Sequence, residues 1–61
     1  MPIVVVKMVK GRSLEQKREL VVRVTDTLVE TIHCKRQNVH VLIEEMDKLN
    51  WAVGGKLPAD S

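Results

Sequence analysis

Seven consecutive residues near the start of the chain, Ile3-Val4-Val5-Val6-Lys7-Met8-Val9, are apolar at every position but Lys7 and rich in β-branched side chains. A strand that alternates polar and apolar residues can rest one face on water. A run that is apolar on both pleat faces needs cover on both, and reads as an interior or parallel strand. The signal recurs once, at Val39-His40-Val41-Leu42-Ile43. Between the two runs lies a helical pattern. Gly11 ends the first strand, and Ser13-Leu14-Glu15-Gln16 spells a capping box, the Ser13 hydroxyl meeting the Gln16 amide while the Gln16 side chain reaches back. The helix is expected from about Ser13 to His33. Strand, helix and strand with short links form a βαβ unit, with parallel strands and a right-handed crossover.

The helix says more. At about 100° per residue from Leu14, Val21, Leu28 and Ile32 fall within about 40° of zero, Leu20 and Val24 at about 240° and 280°, and Val22 and Val29 at about 80° and 60°. The apolar arc is therefore about 200° wide, twice the stripe that packing on one sheet requires. Valine is an indifferent helix former, so tertiary or intersubunit packing must hold this helix. Cys34 to Asn38 is a polar connector, Glu44-Glu45 follows the second strand, and the pattern dissolves after Met46. Trp51 to Leu57 reads as a small hairpin around Gly54-Gly55, stopped by Pro58. The expected fold is α+β: a single domain over residues 1–61, one βαβ unit with a C-terminal hairpin.

Such a unit is too small to stand alone. Two parallel strands and one helix do not make an independent sheet, and 61 residues bury only a marginal core. The sole cysteine, Cys34, rules out an internal disulfide and fits a reducing compartment. Together with His33 and His40 it is too small a set for a structural zinc site. Self-association remains, and the hairpin is a candidate clasp onto a neighbouring subunit.

The totals exclude several classes. The apolar run Ile3 to Val6 is far short of the ~20 residues of a membrane span, and no basic leader precedes a cleavable apolar segment. A net charge of +2 with one aromatic residue, Trp51, offers neither a basic footprint nor a stacking platform for nucleic acid. A cytoplasmic protein is expected.

The common site vocabulary is absent: there is no phosphate loop, nucleophile elbow or spaced metal-ligand set. Glu44 and Glu45 are neighbours in a strand end and point to opposite faces, so they form ion pairs or face water rather than act as a dyad. His33 and Cys34 close the helix, where an imidazole suits the dipole. Met1-Pro2 stands apart. A small second residue permits removal of the initiator methionine, which leaves proline with a secondary amine. Burial or a nearby cation lowers the proton affinity of an amine, and a base near neutrality suits proton abstraction beside a carbonyl. The plain alternative is that Pro2 only begins a strand, where a missing N–H does no harm.

Pro2-Ile3, Gly11-Arg12-Ser13 followed by Glu15-Gln16-Lys17, then Ile43-x-Glu45-Met46 and Gly54-Gly55, together resemble the 4-oxalocrotonate tautomerase family. The match runs without gaps over nearly the whole chain, at the length of the family's short members. The resemblance implies βαβ subunits paired into dimers and then into a hexamer, a trimer of dimers, with sites built from more than one subunit. It implies a cofactor-independent isomerase, with no metal or nucleotide, acting on a small-molecule carboxylate such as 2-hydroxymuconate. Pro2 matches the general base and acid that carries the proton. Arg12 matches the arginine that grips a carboxylate and draws electron density along the conjugated chain, a task suited to a guanidinium fork. Trp51 stands where the family has a phenylalanine that makes the pocket apolar, and Val9 where a main-chain amide faces the ligand.

One position departs from that pattern. The family's second arginine, which holds the other carboxylate and polarises the carbonyl oxygen, falls at His40. An imidazole donates one hydrogen bond rather than a fork, and losing such a donor costs about 10²–10³-fold in rate. Arg36 lies near in sequence and is a possible substitute on proximity alone. A phenylpyruvate-type tautomerase or a dehalogenase using the same proline is the alternative within the fold. A strand-first DNA-binding dimer is the alternative outside it, and it requires a polar first strand followed by two helices.

Overall fold

The computed structural model describes residues 1–60. Strand β1 spans Ile3–Val9, helix α1 spans Leu14–Ile32 and strand β2 spans His40–Met46, with single 3₁₀ turns at Arg36–Asn38, Lys48–Asn50 and Pro58–Asp60. The two strands are parallel, in a register that sets Ile3 against His40 and Val9 against Met46. The expected βαβ unit is present. Because residues 40–46 form a strand parallel to β1 rather than a second helix, the strand-first DNA-binding alternative falls.

The N-terminus of α1 closes as its sequence requires. The Gln16 N–H donates to Ser13 Oγ at 3.1 Å, and the Ser13 N–H donates to Gln16 Oε1 at 2.9 Å. At the other end His33 takes the left-handed conformation, with φ 61°, while its N–H donates to the Val29 carbonyl at 3.1 Å. Within the β-branched middle of the helix, Thr25, Thr27 and Thr31 each donate to the carbonyl four residues back, the usual way a threonine hydroxyl is satisfied there.

β2 starts one residue later than expected and runs on through Glu44, Glu45 and Met46. Cross-element ion pairs carry both carboxylates: Lys7 reaches Glu44 at 3.9 Å on one face of the sheet, and Lys17 of α1 reaches Glu45 at 2.6 Å on the other. The two glutamates thus point to opposite faces. The C-terminal hairpin shrinks to one antiparallel bridge, Val53 with Lys56, around Gly54 (φ 61°) and Gly55 (φ 81°). Positive φ at both central positions is what a tight two-residue hairpin turn needs, and glycine supplies it without strain.

Packing is one-sided. Val4, Val6, Met8, Val41 and Ile43 are half-buried, and so are Leu20, Val21, Val24 and Leu28 of the helix. Val29 is half-buried too, so the covered part of the apolar arc runs about 180°, from Leu20 to Val29. Leu14, Val22 and Ile32 stay exposed, as do Ile3, Val5 and Leu42 on the far side of the sheet. Among the described residues, no side chain is fully buried. The accessible surface is 4976 Å², against about 4,000 Å² for a compact monomer of this mass. The radius of gyration is 14.8 Å, against about 10.5 Å for a compact chain of this length. One copy is an open, elongated unit without a closed core.

Candidate active site

Backbone geometry divides the expected site residues between the two ends of the sheet. Pro2 directly precedes β1, and its carbonyl accepts the His40 N–H at 3.0 Å. Pro2 and His40 therefore share one end. Val9 closes β1 at the other end, and Arg12 follows in the turn into α1. At the strand rise of ~3.3 Å per residue, Pro2 and Lys10 are about 26 Å apart. Trp51 belongs to neither group, because it leaves the Val9 end through the Lys48–Asn50 turn. It lines a cavity of about 310 Å³ in the C-terminal arm with Val53, Lys56, Leu57 and Pro58.

The Pro2 end is simple. Pro2 is half-buried, while Met1 ahead of it is 81% exposed, so packing does not shield the Met1-Pro2 bond from trimming. His40 is exposed on the open face, opposite Ile3 in the register. Arg36 is committed elsewhere: its guanidinium pairs with Asp26 of α1. Within one chain, Asp26 is thus the carboxylate that Arg36 meets.

The Arg12 end is framed by interactions on both sides. The Lys10 N–H donates to the Met46 carbonyl at 2.9 Å, and Lys10 Nζ lies 3.5 Å from Asp47. Asp47 in turn accepts the Leu49 N–H at 3.0 Å. That backbone hydrogen bond, aided by the Lys10 charge, holds its carboxyl below the ordinary carboxylate value. Gly11 turns the chain with φ 130°, and the Ser13–Gln16 capping box fixes the far side. Arg12 sits between these anchors, where it lines a cavity of about 180 Å³ with Met8, Gln16, Lys17 and Leu20. Four basic residues lie between positions 7 and 17, and among the described residues Lys7, Lys10 and Lys17 have carboxylate partners. Arg12 has none.

The ladder orients the Val9 amide as well. A strand in a parallel pair turns alternate residues' backbone groups to its neighbour. The Pro2 carbonyl and the Lys10 N–H both face β2, so the N–H groups of Ile3, Val5, Lys7 and Val9 face the outer edge of β1. Lys10, Lys17, Glu45 and Asp47, which surround the Arg12 turn, were not expected as site residues. Opposite charges at positions 17 and 45 are the signal that could have found one pair, once the helix is laid on the sheet.

The chain belongs to the Tautomerase family: the family model, described as tautomerase enzyme, matches residues 2–61. A probable tautomerase of Halalkalibacterium halodurans is 52% identical over 60 residues, covering 98% of both chains. The 2-hydroxymuconate tautomerase of Bacillus subtilis is 48% identical, covering 98% of this chain and 97% of its own. Among solved structures, a homologue of 4-oxalocrotonate tautomerase superposes with TM-score 0.94 at 47% identity, covering 98% of each chain. A heterohexameric 4-oxalocrotonate tautomerase from Chloroflexus aurantiacus superposes with TM-score 0.91 at 30% identity, covering 98% of this chain and 97% of its own. No helix among the described residues is long and apolar enough to cross a membrane.

Proposed function

We propose that the protein is a cofactor-independent tautomerase that moves a proton between the enol and conjugated keto forms of a 2-hydroxydienoate or 2-keto acid, with 2-hydroxymuconate as the model substrate. Once Met1 is removed, the Pro2 imino nitrogen takes the proton from the enol oxygen and returns one to a distant carbon of the conjugated system. Arg12 holds a carboxylate and draws electron density toward it. Val9 offers its amide N–H, His40 donates to the developing oxyanion, and Trp51 supplies apolar surface. The observation that carries this reading is Arg12: a residue set between the anchored Lys10 and Lys17, lining a cavity, with no carboxylate of its own among the described residues.

A site that needs both Pro2 and Arg12 is incomplete in one chain, so the reading requires a homo-oligomer. The outer edge of β1, with its unpaired N–H groups, is a pairing template. Antiparallel pairing of two β1 strands about a two-fold axis brings the Pro2 end of one chain to the Val9 and Arg12 end of its partner. The uncovered Ile3, Val5 and Leu42 face favours further association into a hexamer, the trimer of dimers implied by the resemblance. A cytoplasmic location accords with the single free thiol, Cys34.

His40 favours a second reading of substrate. With one hydrogen-bond donor in place of a guanidinium fork, the Pro2 end is less suited to a dicarboxylate, and a phenylpyruvate-type enol becomes the competing substrate class. Following the ultraviolet change of 2-hydroxymuconate and of phenylpyruvate enol with purified protein tests both. Turnover of either supports the proline reading, the ratio ranks the substrates, and turnover of neither contradicts it.

A further inference from the structure

Two sequence motifs, Gln16-Lys17 and Glu45-Met46, take no part in the steps above, yet they meet in space. Lys17 Nζ lies 2.6 Å from Glu45 Oε1, and Lys17 lines the same cavity as Arg12. The pair is the least exposed ion pair among the described residues. Its side chains are 26% and 32% exposed, whereas those of every other pair are 45% exposed or more. With less water around it, this pair is screened least. Two cations, Arg12 and Lys17, thus line the cavity, and Glu45, from outside its lining, takes up the lysine.

We infer that Glu45 is a specificity-determining residue. By occupying the Lys17 ammonium it leaves Arg12 as the one cation of that cavity open to a substrate, and so limits how tightly the site grips the distal carboxylate of a dicarboxylate. This rests on the reading of Arg12 as a carboxylate receptor. Specificity is a difference of affinities, and a neutralised neighbour reduces that difference as surely as a missing contact. The two partners should then act with opposite sign. Releasing Lys17 adds a receptor cation, whereas removing Lys17 frees the Glu45 carboxylate to compete for Arg12.

The test is competitive inhibition by adipate, a saturated six-carbon dicarboxylate, together with KM for 2-hydroxymuconate and for phenylpyruvate enol. Glu45→Gln should lower the adipate inhibition constant and the 2-hydroxymuconate KM about fivefold, the size of one partly screened charge contact, with kcat held and the KM of the singly charged phenylpyruvate moving the same way by a smaller factor. Lys17→Met should raise the same two constants by a similar factor. The double variant should return near the parent. If both single variants shift these constants in the same direction, or leave the ratio of the two substrates unchanged, the pair is only a structural tie and the inference fails. If Glu45→Gln does not fold, the direction of the Lys17→Met shift decides alone. An Arg12→Ala variant that binds adipate as well as the parent overturns the Arg12 reading instead, which keeps the two failures apart.

Discussion

The Pro2 carbonyl accepts the His40 N–H at 3.0 Å, which fixes these two residues to one end of a sheet whose other end carries Val9 and leads into the Arg12 turn. Seven β1 residues lie between Pro2 and Lys10, so no side-chain motion within one chain unites the proline with the arginine. On the proposed reading, each copy carries two half-sites.

Subunit mixing follows from this separation. A variant that retains Met1 and an Arg12→Ala variant should each be nearly inactive alone. Co-refolding them in equal amounts should restore activity, because some sites draw an intact Pro2 from one chain and an intact Arg12 from another. Random pairing restores about one quarter of the sites. Activity of the mixture, measured against the parent at equal total protein, checks this, and no recovery would mean that both residues act from one chain.

His40→Arg should raise turnover of 2-hydroxymuconate relative to phenylpyruvate enol, since a guanidinium fork grips a carboxylate that one imidazole donor holds weakly. A gain of about tenfold or more in kcat/KM is expected from restoring such an electrophilic donor. Unchanged dicarboxylate kinetics would remove His40 from the site.

The Asp47 carboxyl lies below its ordinary value of 3.8, chiefly because it accepts the Leu49 N–H. A folded-state value below the unfolded one stabilises the fold above the unfolded value, and that contribution is lost as pH falls through the lowered one. The difference in stability between parent and Asp47→Asn should therefore be constant above about pH 5 and shrink as pH falls below about 4. Denaturant midpoints across that range provide the check.

His33 holds a left-handed conformation that costs a non-glycine residue about 1–2 kcal/mol. Since its N–H already caps Val29, His33→Gly should keep the helix end and raise stability by about 1 kcal/mol, or about 4–8 °C in Tm at fixed protein concentration. An unchanged or lower Tm would show that the imidazole contributes more at the helix C-terminus than the strain costs.

The local devices were legible because each is written in neighbouring residues: the Ser13–Gln16 box, the Gly54-Gly55 turn, and the apolar runs that became parallel strands. The end of β2 was not. The apolar run stops at Ile43, whereas the ladder with β1 carries the strand through Glu44 and Glu45, which pair with Lys7 and Lys17, to Met46. The wide helical arc was legible as an excess over one sheet's needs, and Leu14, Val22 and Ile32 are the residues that remain uncovered. The candidate site residues could be proposed from the sequence, but their division between two ends depends on strand direction. The pairing of Arg36 with Asp26 was likewise visible only once the helix and the connector were placed.

The most direct measurement pairs the intact mass of the purified protein with its rate on 2-hydroxymuconate, on preparations with and without methionine aminopeptidase treatment. The account predicts that activity tracks the fraction of chains that begin at Pro2 and vanishes where Met1 is retained. Full activity in a preparation whose every chain still carries Met1 would contradict it.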